Sequence, residues 1–72
     1  MSVAVQKGAI YEHYKKQRYT VLALAKHADS EEELVVYQRV DEQGPVWVRS
    51  LAVFKERVLV EGALVPRFRL IE

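Results

Sequence analysis

Leu34-Val35-Val36-Tyr37-Gln38, followed after a break by Val46-Trp47-Val48-Arg49, is the stretch whose reading decides the fold. Both segments are β-branched and aromatic, which suits a pleated surface better than a helix. Between them stands Asp41-Glu42-Gln43-Gly44-Pro45, a turn by composition. Two short strands joined in this way make a hairpin. Strand side chains alternate between faces. Leu34, Val36, Gln38 and Val40 therefore share one face, and Val35, Tyr37 and Arg39 the other. By the same parity Val46 and Val48 are separated from Trp47 and Arg49. If the valines turn to the core, Trp47 and Arg49 face outward together, near Tyr37. If instead Trp47 fills the interior, Arg49 needs an acid such as Glu33.

The flanking sequence continues the β pattern. Residues 19–28 form the longest strand candidate, with Tyr19, Val21, Ala23, Ala25 and His27 on one face and Thr20, Leu22, Leu24 and Lys26 on the other. Their Leu and Ala content also suits a helix, and the bounding turns decide for strand. Residues 10–14 read as a short extended segment. Val58-Leu59-Val60 and Ala63-Leu64-Val65 read as a hairpin, because Glu61-Gly62 puts Gly second in a two-residue type I′ turn. Pro66 confines the segment after it to an edge or a bulge, with Phe68, Leu70 and Ile71 closing on the core.

Residues 50–54 fit one 3₁₀ turn. Asp29-Ser30-Glu31-Glu32-Glu33 has capping-box spacing from Ser30 to Glu33, but the strand begins at once, so a solvated acidic loop is expected. Residues 1–6 read as a short arm. The sum is a mainly β chain of five or six short strands with one 3₁₀ or helical turn. A small SH3-like barrel is the expected architecture, since closure removes exposed edges. An open meander packed into a homodimer is the second choice.

Seventy-two residues make a single domain, 1–72, close to the size at which folding unaided becomes marginal. There is no Cys, so disulfides and thiolate metal sites are excluded. Half the residues are apolar, enough for a core. A formal charge of +1 gives no field pointing to nucleic acid or membrane. The distribution is less even: basic residues dominate 1–27 and 46–72, and acids dominate 28–45. No segment has signal-peptide or membrane-span character, so a cytoplasmic protein without a membrane partner is expected.

The landmarks Tyr11-Glu12-His13-Tyr14-Lys15, Tyr19-Thr20-Val21-Leu22, Ala25-Lys26-His27, Glu32-Glu33-Leu34-Val35-Val36-Tyr37, Val46-Trp47-Val48-Arg49, Phe54 and Val65-Pro66-Arg67-Phe68 together resemble a family of small bacterial domains, DUF1653. The resemblance runs from about Gly8 to Ile71. It departs from that family's pattern at Ser50, where a Pro usually follows the tryptophan–arginine segment, and at Gly44-Pro45, where Gly-Leu is usual. It implies a β-rich, intracellular bacterial module, found alone or attached to other domains, and it implies no activity.

No catalytic constellation emerges from the residues. Ser2, Ser30 and Ser50 lie in an arm, a loop and a corner rather than in a nucleophile elbow. The three glycines are explained by turns, which leaves no phosphate-binding loop. His13, His27 and Glu32 or Glu33 have ligand chemistry but no ligand spacing. A metal-dependent hydrolase built on His13, His27 and Glu32 is therefore the third reading, and no cofactor or metal is assigned.

The first reading is a non-catalytic binding module. It uses Tyr14, His27, Tyr37, Trp47 and Arg49 to hold a peptide, RNA or a small anionic ligand, since aromatics beside a guanidinium stack bases, grip peptides and hold charge. The second is a nucleic-acid module with Lys15, Lys16, Arg18, Arg67 and Arg69 on phosphates. Phe54 and Phe68 are assigned to the core.

Overall fold

The structure, a computed structural model, describes residues 5–41 and 43–72. Residues 1–4 of the expected arm and Glu42 of the expected turn lie outside the described residues. The elements run β1 (Ile10–His13), β2 (Arg18–Lys26), β3 (Glu33–Arg39), β4 (Val46–Ser50), α1 (Leu51–Phe54), β5 (Arg57–Val60), β6 (Ala63–Pro66) and β7 (Phe68–Leu70). The chain is thus mainly β, with seven strands among the described residues where five or six were expected. None of the described helices is long and apolar enough to cross a membrane.

The strands form an antiparallel five-stranded sheet, in the order β4-β3-β2-β1-β7, and a separate β5-β6 hairpin. No closed barrel is found among the described strands, in which β4 and β7 end the sheet order. Pro66, which has no N–H to add to a ladder, ends β6 opposite Arg57. The next residue joins the hairpin to the sheet: the Arg67 N–H donates to the Glu56 carbonyl, and the Arg67 carbonyl accepts from Tyr14 N–H.

The β5–β6 turn forms as its sequence dictates. Glu61 and Gly62 have φ of 49° and 82°, both positive as a type I′ turn requires. The helical turn is α rather than 3₁₀ at its start, with Lys55 N–H donating to the Leu51 carbonyl. Ser50 caps it, its Oγ accepting from Val53 N–H at 3.2 Å. The stretch 29–33 makes a turn and no helix. Ser30 Oγ accepts from Glu32 N–H there, and His27 Nδ1 accepts from the N–H groups of Asp29 and Ser30.

One register feature reverses an expected parity. Val21 pairs with Tyr37, yet the next pair is Ala23 with Val36, so Leu22 is the extra residue of a β-bulge. Ala23 and Ala25 consequently share the face of Val36 and Leu34, while Leu24 shares that of Val35. The strict alternation expected along residues 19–28 holds only up to Val21.

The core lies on one face of the sheet and consists of Val5, Tyr11, Val21, Val35, Tyr37, Phe54 and Phe68, with Ala9, Tyr19 and Leu51 packed against it. Phe54 and Phe68 stack with ring centroids 4.1 Å apart. Tyr11 meets Phe54 edge-on at 5.1 Å, and Tyr37 meets Phe54 and Phe68 at 5.7 and 5.4 Å. Such edge-to-face and offset pairs add to the stabilisation from burying area. Val5, expected in the arm, is instead buried. Its segment is tied to β2 by Gly8 N–H on the Val21 carbonyl and Val21 N–H on the Ala9 carbonyl.

Candidate functional site: the Trp47–Arg49 corner

The β3–β4 register settles the orientation of the deciding hairpin. Tyr37 pairs with Trp47, Val35 with Arg49 and Val36 with Val48. Directly paired residues project to the same face of a sheet. Trp47 and Arg49 therefore stand on the core face, beside the buried Tyr37 and Val35. Val46 and Val48 project to the other face and remain 51% and 55% exposed. The separation by parity holds, but neither expected orientation does. The valines do not fill the core, and Trp47, 48% exposed, does not plug it. The reason is position: β4 is an edge strand, so its core-side residues sit at the rim of the core.

Arg49 bonds neither Glu33 nor any other acid among the described residues. Its Nε donates to the Tyr37 hydroxyl at 2.9 Å, and its guanidinium lies 6.0 Å from the centroid of the Phe68 ring. Tyr37 thus does two things: its ring belongs to the core, and its hydroxyl aims a cation at the rim. Next along the same wall comes His13, which pairs with Phe68 across β1 and β7 and packs edge-on against its ring at 5.0 Å. Tyr14 lies against His13 with centroids 4.4 Å apart, and the Lys15 ammonium stands 5.9 Å from the Tyr14 ring.

Electrostatics mark the corner as cationic. The pKa of His13 is held below the ordinary imidazole value, first by burial and then by the charges of Arg49, Arg67 and Lys15. Its Nδ1 accepts from Lys15 N–H at 3.2 Å, which leaves the neutral ring's proton on Nε2. Arg67 has a partner, Glu56, at 3.4 Å, but its Nε is buried with no hydrogen-bond acceptor among the described residues. A cleft of ≈ 470 Å³ alongside is lined by His13, Tyr14, Lys16, Val65 and Arg69 among others. Trp47 and Arg49 do not line it; they belong to an open rim.

Of the five residues expected to bind a ligand, the structure joins Tyr37, Trp47 and Arg49 directly and places Tyr14 nearby through His13 and Phe68. His27 is not with them. It follows the far end of β2, where its ring orders the β2–β3 turn. His13 lies at the near end of that nine-residue strand. At ~3.3 Å per residue, roughly 25–30 Å separates the two imidazoles, so His13, His27 and Glu32 do not converge on one ion.

The basic set is also divided. Arg69 and Arg18 approach the two oxygens of Glu12 at 2.7 and 3.8 Å, and they hold its carboxyl below the usual range, Arg69 first. Arg67 faces Glu56, Lys15 faces Tyr14 and Lys16 lies in the β1–β2 turn. The sequence reading missed His13 and Phe68 as neighbours of Arg49. The parity of β1, which puts Tyr11 and His13 on one face, was the available signal.

Comparison with known proteins places this architecture. No curated protein matches the chain. A solved structure from Bordetella bronchiseptica, described as a protein belonging to DUF1653, superposes with a TM-score of 0.80 at 32% identity, over 93% of this chain and 87% of that one. The family model for the proteins of unknown function DUF1653 matches residues 9–70. That span takes in every described strand and the Trp47–Arg49 corner, and the chain belongs to the DUF1653 family.

Proposed function

We propose that this chain is a non-catalytic binding module, and that the corner formed by Tyr37, Trp47 and Arg49, with His13 and Tyr14 beside it, holds its ligand through an anionic group. The observation that carries the reading is Arg49. A half-buried guanidinium is fixed by a neutral hydroxyl, has no acid beside it among the described residues, and is flanked by a half-exposed indole. Partly buried charges are normally paired with an opposite charge, so the unused faces of this guanidinium favour an incoming carboxylate or phosphate. Its planar fork suits either, and Trp47 offers an apolar platform next to it.

The alternative nucleic-acid reading has less support, because Arg18 and Arg69 both converge on Glu12 rather than on a common open surface. The test is direct. Trp47 is the single tryptophan, so its emission reports on the corner. Titration with acetate and with inorganic phosphate is expected to change that emission with millimolar affinity. Arg49→Gln is expected to weaken the response about 5-fold, the equivalent of about 1 kcal/mol for an exposed charge contact. An unchanged response in the variant refutes the reading.

A further inference from the structure

Beyond the charged corner, β4 carries a second kind of unused bonding capacity. It pairs with β3 on one side only and forms an edge of the five-stranded sheet. Alternate backbone N–H and C=O groups along its other side therefore have no strand partner among the described residues. Native sheets usually blunt such an edge with lysine, proline, a bulge or a covering element. Val46–Ser50 contains no Lys and no Pro and its register with β3 runs without a shift; its one charge is Arg49 on the core face, and Pro45 precedes it. The opposite edge, β7, has three residues.

We propose that the anionic group is the carboxylate of an extended segment of another protein, which adds to β4 as a further antiparallel or parallel strand. This rests on the binding reading above and specifies its partner. An added strand alternates in phase with β4. Side chains on its core side meet Trp47 and Arg49, and those on its other side meet Val46 and Val48. The preferred segment thus alternates apolar residues with polar ones and carries an acid at the position beside Arg49. Charge complementarity selects this occupant. Arg49 stands on the core face of β4 with no acid beside it among the described residues, and a second copy of β4 presents another Arg49 instead of an acid. A nucleic acid supplies the charge but no amide ladder.

The probe is the acetylated, amidated pentapeptide Val-Glu-Val-Thr-Val, titrated into the ¹⁵N-labelled full chain. Its valines share one face and its glutamate and threonine the other. Binding is expected to shift the β4 amides and slow their hydrogen exchange at least 10-fold. Replacing the peptide's Glu by Gln is expected to weaken binding about 5-fold in the wild-type chain and not in Arg49→Gln. Two alternately N-methylated peptides add a control that needs no protein variant. Methylation of one set of amides blocks the pairing edge and is expected to abolish binding, whereas methylation of the other set is tolerated.

Equal binding of the two methylated peptides overturns strand addition. Slow exchange of β4 amides in the peptide-free protein, rising with protein concentration, overturns it in favour of a second copy. Displacement of the peptide by oligouridylate at equal concentration overturns it in favour of RNA. A peptide that binds no better than acetate overturns this inference and leaves the anion site standing, and failure of acetate, phosphate and peptide together removes both.

Discussion

Replacing Tyr37 by Phe removes one atom, and the structure says what that atom does. The Tyr37 ring packs at 5.3 Å from Tyr19, 5.7 Å from Phe54 and 5.4 Å from Phe68, and Phe retains all three contacts. What is lost is the acceptor for Arg49 Nε at 2.9 Å. Hydrogen bonds to charged groups contribute about 1.5–3 kcal/mol. Arg49 is only half-buried, so water takes up part of the lost bonding, and the expected loss is about 1–1.5 kcal/mol. With a urea m-value of about 1 kcal/mol/M, suited to so small a chain, the midpoint drops by roughly 1–1.5 M.

Urea unfolding followed by Trp47 emission measures this, and a double-mutant cycle with Arg49→Gln isolates the pair. Tyr37→Phe should cost almost nothing once Arg49 is absent. The anion response should also weaken, because the guanidinium is no longer held in place. A stability loss that persists undiminished in the Arg49→Gln background refutes the argument, since the hydroxyl is then acting on something other than Arg49.

Two further outcomes rest on the same core. Phe54→Ala removes a fully buried ring stacked on Phe68 and should cost about 3–5 kcal/mol, which leaves a chain this small largely unfolded; sharp, dispersed amide resonances in the variant contradict the assigned core. The second concerns pH: His13 has a folded pKa below the unfolded value of ~6.5, so the unfolded chain takes up the proton first. Stability is then fully present above about 6.5 and falls as the pH drops through the folded value. Chemical denaturation at pH steps between about 7.5 and 5, above most carboxylate titration, measures the decline, and His13→Gln should flatten it.

Much of this molecule is written in local sequence. The β-branched and aromatic runs made β3, β4 and the β5–β6 hairpin legible, because a strand's side-chain period and a type I′ turn are properties of a few adjacent residues. Glu61-Gly62 needs no tertiary partner to adopt positive φ. Parity in Val46-Trp47-Val48-Arg49 likewise separated the valines from Trp47 and Arg49. The family resemblance, carried by landmarks from Tyr11 to Phe68, is confirmed by the match over residues 9–70.

Tertiary structure decided which way those faces turn. Whether Val48 or Trp47 meets the core depends on the side of the sheet that receives Phe54 and Phe68, and those residues arrive from α1 and β7, outside the hairpin. It also decided that β4 is an edge, which leaves Trp47 half-exposed and Arg49 without an acid among the described residues. The bulge at Leu22 and the division of the strands into a five-stranded sheet and a hairpin belong to the same class. Each depends on where strands distant in sequence end and which of them pair, and no local period encodes that choice.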